Sequence, residues 1–312
     1  MVNKQNIPSE WLIDDDFTNQ RIDYFLKKKN PSLSFPNICT MLRKGIVKVN
    51  SKRVKNSYIL KEKDLVVSRL NISTSNIKKK VSLRHKSFFD NLVIFKNEDY
   101  YIINKPSGLA VQGGTNIKIN LDRILENLES NSENRPKLVH RLDKETSGIL
   151  IISRNLKTTN FFGDLFKKRK IEKIYIAIIH GIPKKKKGKI IIPLTYNEKI
   201  YQSETDYIVV ESQNNHSIVL VKLLTGRKHQ IRKHFFEIGH PILGDNKYKE
   251  KTTKLSKTNK LFLHSYSIKF EDIKGNQKFF DCDLPDYFKN RIKLLDFKNY
   301  FIRKELKLKN DL

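Results

Sequence analysis

The sequence predicts an α+β protein in which a small basic domain precedes a larger domain rich in antiparallel sheet. Two helix patterns followed by a strand, a turn and a strand occupy the N-terminal part. A polar, basic stretch without periodicity follows, and short apolar strands then alternate with helix patterns. These three observations predict a domain at 18–70, a basic linker at 71–87 and a second domain at 88–300.

The first domain begins with two predicted helices. Ile22, Phe25 and Leu26 follow the i, i+3, i+4 spacing of one helix face. A second helix is expected to begin near Pro36, a favourable first-turn residue, and to end at Gly45.

Basic residues cluster around that hairpin. The segment 46–60, IVKVNSKRVKNSYIL, predicts a strand, a turn at Asn50–Ser51 and a second strand. The nearby cations are Arg43, Lys44, Lys48, Lys52 and Arg53. An ordinary solvated face would show the same charges, but RIDYFL followed by LRKGIVKVNSKRVK resembles the S4 RNA-binding domain. The resemblance implies that these cations bind RNA.

The second domain is predicted from alternating strand and helix patterns. Strands are expected at LVIF, YYIIN, GILIIS, KIYIAIIHG and HSIVLVKLLT. Apolar stripes predict helices within 117–128 and 161–166, and a third around 231–238. The many consecutive strands favour a mixed, largely antiparallel sheet.

The net charge favours a polyanionic partner. The chain has 62 Lys and Arg against 33 Asp and Glu, a formal net charge of +29. Such a balance is typical of proteins that bind nucleic acid, although an AT-rich genome also enriches a protein in lysine.

The apolar pattern and the cysteine count exclude several classes of protein. No apolar run reaches the ~18 residues of a transmembrane helix. The start, MVNKQNIPSEWLIDDD, lacks the apolar stretch of a secretory signal. Two cysteines, Cys39 and Cys282, are too few for a disulfide framework. We therefore expect a cytoplasmic protein that makes no membrane contact.

Two segments place candidate catalytic residues beside predicted strands. In LVHRLDKETSGILII, at 138–152, Asp143 lies on a short turn between apolar strands. Spacing favours a tight structural turn there, but such a turn can also aim a carboxylate into a groove. In KIYIAIIHG, Tyr175 faces away from Ile174 and Ile176, either as an ordinary strand tyrosine or as a platform for an unstacked base.

A third segment, TGRKHQIRKHFFEIGHPILGD, combines arginines with histidines. Arg227 and Arg232 can contact phosphates or pair with a buried carboxylate. The spacings of His229, His234 and His240 do not place them on one helix face, so no metal site is predicted.

Four motifs in this order resemble the RluA family of RNA pseudouridine synthases. They are NKPSGLAVQGG at 104–114, HRLDKETSG at 140–148, KIYIAIIHG at 173–181 and TGRKHQIRKHFFEIGHPILGD at 225–245. Together with the S4-like head, they are most similar to the RluC branch, which modifies large-subunit ribosomal RNA. The resemblance extends from about Asn19 to about Asp286 and implies a pseudouridine synthase fold for 88–300.

The resemblance also implies roles for individual residues. Asp143 corresponds to the catalytic aspartate, Tyr175 to the tyrosine beside the base, and Arg232 to the arginine that pairs with the aspartate. The residues expected to contact RNA in this domain are Arg141, His140 and Arg227. Arg141 lies where the family inserts a side chain near the flipped nucleotide.

The chemistry agrees with these roles. Pseudouridine formation breaks the N1–C1′ bond, turns the uracil and joins C5 to C1′, after which C5 loses its proton. Tyr175 can help to remove that proton, or it can only stack on the base and position it. An ionised Asp143 can attack C1′ or remove the C2′ proton, and both routes stay open. Contact with Arg232 is expected to favour the ionised form. The expected enzyme is a monomer that acts on large-subunit rRNA or its precursor particle, with no metal and no cofactor.

Two other functions use part of the same pattern. A non-catalytic S4-type ribosome-assembly protein would need the basic domain but not Asp143, Tyr175 and Arg232. A glycosidase would also place a carboxylate at an anomeric carbon, but it needs a second carboxylate at a defined separation. Glu145 is the near candidate for that second group.

Overall fold

The computed structural model describes residues 9–30, 33, 35–69, 83–113, 117, 119–128, 135–196, 198–249 and 260–298. The chain divides into two compact units, Met1–Lys78 and Lys79–Leu312. Both units combine helices with strands, and their strand pairing is almost entirely antiparallel. The predicted α+β class is confirmed.

The N-terminal unit packs two helices against a small antiparallel sheet. Its described elements are β1 (Ser9–Leu12), α1 (Ile22–Lys29), α2 (Phe35–Lys44), β2 (Val47–Val49) and β3 (Leu65–Ser68). The strands lie in the order β1-β3-β2. Ile22, Phe25 and Leu26 are at most 1% exposed, so the predicted face of α1 does form the core.

The predicted hairpin of this unit is only half correct. Asn50 and Ser51 do form a turn, both with positive φ. However, β2 pairs with β3, and no strand is found within 52–60. The buried carboxylate of Asp64 accepts hydrogen bonds from the side chains of Asn50 and Tyr58. These bonds hold 52–60 as a loop, so β2 pairs with β3 and not with a strand inside that segment.

The larger unit contains most of the strands. The described elements up to its middle are α3 (Leu83–Asp90), β4 (Val93–Lys96), β5 (Tyr100–Lys105), α4 (Leu121–Glu126), β6 (Lys137–Leu138), β7 (Ser147–Ser153), α5 (Leu156–Lys167) and β8 (Glu172–His180). The remaining described elements are β9 (Lys187–Ile191), β10 (Leu194–Tyr196), β11 (Lys199–Tyr201), β12 (Glu204–Gln213), β13 (His216–Leu223), α6 (Gln230–Glu237), β14 (Leu263–Glu271), β15 (Gln277–Asp281) and α7 (Asp286–Leu294).

One mixed sheet organises this unit. Its described strands lie in the order β4-β5-β7-β14-β8-β13-β12-β9, with β15 paired to β14 and β6 paired to β7. Among these strands, β7 and β14 form the parallel pair. Strands β10 and β11 form a separate antiparallel hairpin.

Helices cover both faces of the sheet because successive strand residues point to opposite sides. Tyr175 and Ala177 of β8 pack in one core with residues of α3, α4 and α6. Ile176 of the same strand packs with α7 on the other face, where α5 also lies. The predicted alternation along KIYIAIIHG is therefore correct, and it directs Tyr175 toward α6.

Two predicted boundaries differ from the structure. Helix α3 begins at Leu83, inside the predicted linker 71–87, and the part of that linker at 71–82 lies outside the described residues. Helix α4 begins at Leu121 rather than near Ile117, because the Asn120 side chain accepts a hydrogen bond from the backbone N–H of Arg123. An N-cap of this kind sets the start of a helix more sharply than the apolar stripe does.

Candidate active site

Strand register brings the two main candidate segments together. Ser265 of β14 pairs with Gly148 of β7 on one side and with Tyr175 of β8 on the other. The loop that carries Asp143 precedes β7 directly, so it opens beside the start of β14 and within two strands of Tyr175. Helix α6 follows β13, the other neighbour of β8, and completes the site.

The loop that carries Asp143 is held by the NKPSGLAVQGG motif at 104–114. Lys105 is fully buried, and its Nζ donates hydrogen bonds to the carbonyl oxygens of Leu109, Lys144 and Pro106 at 2.8–3.2 Å. Ser107 Oγ donates to the carbonyl oxygen of Glu145. Burial lowers the pKa of Lys105 to about 7. The motif thus holds the backbone on the C-terminal side of Asp143.

The end of the HRLDKETSG motif is anchored to the sheet. Ser147 Oγ lies 2.9 Å from His264 Nδ1, and His264 Nε2 lies 3.2 Å from Cys282 Sγ. Burial lowers the pKa of His264 to about 4, so its imidazole is neutral. The Ser147 hydroxyl therefore anchors the loop to β14.

The Asp143 carboxylate faces cationic and imidazole groups from α6. Its Oδ2 lies 3.7 Å from Arg232 Nη1, and its Oδ1 lies 3.6 Å from His229 Nε2. Glu145 Oε2 also lies 3.7 Å from Arg232 Nη1. The Asp143 side chain is 18% exposed, which leaves it reachable from the pocket.

A second aspartate holds Arg232 in this position. Asp245, whose side chain is fully buried, accepts from Arg232 Nε at 2.6 Å and from Nη2 at 2.8 Å. Its Oδ1 also accepts from the backbone N–H groups of Lys247 and Tyr248. This two-pronged geometry fixes the guanidinium plane and directs the remaining nitrogen toward Asp143.

Opposing effects act on the pKa of Asp143. Burial raises its pKa, the Arg232 charge lowers it, and Glu145 raises it; the net shift is upward. Arg232 favours the charged carboxylate, as the sequence predicted, but the cost of removing that carboxylate from water is larger.

His229 completes the surroundings of Asp143. It is the N-cap residue before α6, with a left-handed φ of 55°, and its Nδ1 lies 2.9 Å from the Tyr248 hydroxyl. Burial lowers the pKa of His229 to about 4, so the ring is neutral. Because a carboxylate only accepts, the fitting tautomer has Nδ1 accepting from Tyr248 and Nε2–H directed at Asp143.

These residues line a pocket of about 400 Å³, which we call the active pocket. Asp143, Arg141 and Arg232 lie on its wall, and Tyr175 and Lys173 reach it from β8. Burial raises the pKa of the Tyr175 phenol, which is therefore neutral at ordinary pH. The pocket thus combines a carboxylate, cations and an aromatic ring.

Comparisons with known proteins show the family of this chain. A family model described as RNA pseudouridylate synthase matches residues 99–237, and an S4 domain model matches residues 20–66. A protein of Buchnera aphidicola subsp. Schizaphis graminum named "Ribosomal large subunit pseudouridine synthase C" is 31% identical over 306 residues, 91% of this chain and 96% of that protein. This chain belongs to the RNA pseudouridine synthase family.

Further relatives extend the similarity. A protein of the same name from Vibrio parahaemolyticus is 32% identical over 88% of this chain and 91% of its own length. The solved structure of human RNA Pseudouridylate Synthase Domain Containing 4 shares the fold, with a TM-score of 0.59 and 24% identity over 68% of this chain and 97% of that chain. The predicted resemblance to the RluA family with an S4 head, and the predicted isomerase activity, are confirmed.

The RNA-contacting residues predicted for the synthase domain differ in their surroundings. Arg141 is exposed and lines the active pocket. Arg227 also lines it, and its guanidinium lies 5.0 Å from the Tyr201 ring centroid. His140 Nε2 instead accepts from the backbone N–H of Ile151, while its ring stacks on Phe166. The structure therefore gives His140 a loop-anchoring contact in addition to its place on the pocket wall.

The basic residues predicted for the S4 domain lie at the end of α2 and around β2. Arg43, Lys44, Lys52 and Arg53 are exposed, and Lys48 is partly exposed. The Arg53 side chain crosses Gly45, where an added Cβ would meet its Nε at 2.6 Å. The chain therefore brings residues from both sides of the turn beside the end of α2.

The three histidines considered as metal ligands have separate surroundings. His234 Nε2 lies 2.8 Å from Ser203 Oγ, and His240 Nδ1 lies 3.0 Å from the carbonyl oxygen of His180. Across the described ranges, no group of three or more His, Cys, Asp or Glu side chains is arranged to hold a metal ion. In the same ranges, no helix is both long and apolar enough to cross a bilayer.

Sequence reasoning missed four residues of the site. Lys105, His229 and Asp245 all lie inside the quoted motifs. Lys105 and His229 contact a different motif, and Asp245 contacts Arg232 of its own motif because the chain turns back after α6. Lys173 was identifiable, because it precedes Tyr175 by two residues on a strand and so shares its face.

Proposed function

We propose that this chain isomerises specific uridines of large-subunit ribosomal RNA, with Asp143 as the catalytic carboxylate and without a metal or organic cofactor. The substrate is inferred from the relatives, which are named as large-subunit pseudouridine synthases. The S4 match and the net charge of +29 support an RNA partner of this kind. We expect the enzyme to work in the cytoplasm.

The observation that carries the proposal is the setting of Asp143. The carboxylate lies between Arg232 and His229 on the wall of a pocket with an aromatic side. Such a carboxylate can attack C1′, or it can remove the C2′ proton, once the glycosidic bond weakens. Both routes require the ionised form, which Arg232 supports.

Tyr175 fits a positioning role beside the uracil. Its phenol is neutral, because burial raises its pKa, so it is not a base in its resting form. Aromatic rings stabilise an unstacked base by packing on its face. We propose that Tyr175 holds the uracil while the base turns from N1 to C5.

Arg141 fits a role in extracting the target uridine. A uridine must leave its helix to reach a pocket, at a cost of about a few kcal/mol of stacking and pairing. Arg141 is exposed at the pocket and precedes Asp143 by two residues. We propose that its side chain occupies the space that the flipped nucleotide leaves.

Mapping pseudouridines tests the substrate. Large-subunit rRNA from cells with and without this protein is compared, and the purified protein is then incubated with the unmodified rRNA. We expect specific uridines to be unmodified in the deletion strain and to be converted in vitro. Identical maps for the two strains would overturn the rRNA assignment.

Substitution of Asp143 tests the chemistry. We expect Asp143→Asn to abolish pseudouridine formation while RNA affinity is retained, because an amide cannot act as nucleophile or base. The matched control is Asp164→Asn, an exposed residue of α5, which should keep full activity. Substantial turnover by Asp143→Asn would refute the assignment.

A further inference from the structure

We propose that a second pocket beside the active pocket binds the nucleotide next to the target uridine in the RNA strand. This inference rests on the proposed RNA substrate and adds a subsite to it. The pocket has a volume of about 420 Å³ and lies between the β10–β11 hairpin, the start of α6 and the segment around Tyr248. We call it the flanking pocket.

Three tyrosines supply its aromatic surface. Tyr196 and Tyr201 come from the two strands of the hairpin, and Tyr248 comes from the segment that follows Asp245. Tyr196 is 49% exposed, and the other two rings are partly exposed. Stacking on such rings is tolerant of sequence, because every base has a π face.

Cations alternate with these rings. Arg227 lies over Tyr201 at 5.0 Å from the ring centroid, Lys228 over Tyr196 at 5.4 Å, and Lys247 over Tyr248 at 5.6 Å. Lys233 also lines the flanking pocket, and its lining contains no Asp or Glu side chain. Rings and cations without carboxylates suit a base together with its phosphate.

The two pockets adjoin each other. Tyr196, Arg227, Lys228 and His229 line both of them. The covalently linked neighbour of a uridine whose C1′ lies near Asp143 can therefore reach this shared wall. The volumes of about 400 and 420 Å³ are similar, so a pocket for one nucleotide lies beside another of the same size.

The test combines a change in the RNA with a change in the protein. Synthetic RNA segments centred on the uridine mapped above are made with a single abasic residue on its 5′ side or on its 3′ side. Affinities are measured for full-length Asp143→Asn, which binds without turnover, with and without Tyr196→Ala and Tyr201→Ala. Stacking of one base corresponds to roughly 5- to 150-fold in affinity. We expect a loss in that range when the base at one of the two positions is removed.

The tyrosine variants decide whether that base occupies the flanking pocket. If it does, Tyr201→Ala and Tyr196→Ala reduce the affinity of Asp143→Asn for the intact RNA. The loss of affinity caused by the abasic residue is then at least fivefold smaller in these two variants than in Asp143→Asn without a tyrosine substitution. The matched control is Phe279→Ala, an exposed aromatic residue of β15 outside both pockets, which should keep the full abasic penalty. The subsite would be overturned by an equal loss of affinity in all four proteins. It would also be overturned if an abasic residue caused no loss of affinity on either the 5′ side or the 3′ side of the uridine. Absence of pseudouridine formation by the wild-type chain would instead overturn the proposed function.

Discussion

In the proposed reaction the chemistry depends on the Asp143 carboxylate, and the pKa of this group is set by its neighbours. Burial and Glu145 raise its pKa, whereas Arg232 lowers it. A raised pKa means that the ionised fraction, and with it the rate, falls as the pH drops through that value. The acid side of the pH–rate profile therefore reports on the surroundings of Asp143.

Glu145→Gln should move that acid side to lower pH. Neutralising Glu145 removes a charge that raises the pKa of Asp143, so the carboxylate stays ionised at lower pH, by up to about 1 unit. The profile of kcat/KM is measured for the variant and for Glu237→Gln, an exposed residue of α6 outside the pocket. This account would be contradicted if the acid side of the profile stayed at the same pH or moved to higher pH.

Arg232→Ala should cost both stability and activity. The fully buried Asp245 would lose its two-pronged partner, and breaking a buried pair costs about 3–5 kcal/mol. Urea unfolding measures the change in the free energy of unfolding. The exposed Arg227→Ala should change it by less than about 0.5 kcal/mol. Equal stability of the two variants would show that Arg232 does not support the fold.

At the scale of elements, the site depends on the close approach of β7 and β14. Gly148 has a φ of +110°, and a Cβ there would lie 2.2 Å from the carbonyl oxygen of Ser265. A glycine at this position lets the parallel pair form immediately after the Asp143 loop. The last residue of the HRLDKETSG motif is therefore required by backbone packing.

Gly148→Ala should destabilise the synthase domain by more than about 1 kcal/mol, since both the φ value and the contact with β14 oppose a side chain. Gly163→Ala is the matched control, because Gly163 lies in α5 with no atom within 4 Å of an added Cβ. That change should leave stability equal or raise it by up to about 1 kcal/mol. Thermal unfolding compares the two, and the reverse order would contradict the argument.

For the molecule as a whole, the charge is divided between two tasks. The S4 unit presents cations around its turn, whereas the synthase unit places arginines and lysines around the two pockets. Phosphate contacts increase affinity without reading sequence, and they weaken steeply with salt. The salt dependence of binding therefore measures how much each unit contributes.

Replacing Lys52 and Arg53 by Gln should reduce the salt slope of rRNA binding by about 0.7 to 0.9 for each phosphate that the protein no longer neutralises, with turnover at saturating RNA unchanged. Lys28 and Lys61, replaced in the same way, give a control with the same net charge in the same unit. Binding is titrated at several salt concentrations. An unchanged slope would mean that the turn of the S4 unit is not an RNA anchor.

Local sequence was sufficient for the fold class, the helix and strand faces and the segments that form the site. Strand alternation places Tyr175 on the face of β8 opposite to Ile174 and Ile176, and the quoted motifs contain the proposed site residues. Those features depend on neighbours within a few residues, which a single segment contains.

Other features required the folded chain. The pairing of β2 with β3 and the approach of His229 to Asp143 join residues from separate segments, and Asp245 meets Arg232 because the chain turns back after α6. The upward shift in the pKa of Asp143 also arises from burial, whereas the sequence indicated only the opposing arginine. Contacts and desolvation of this kind depend on which surfaces pack together, and no periodic pattern in one segment encodes its distant partner.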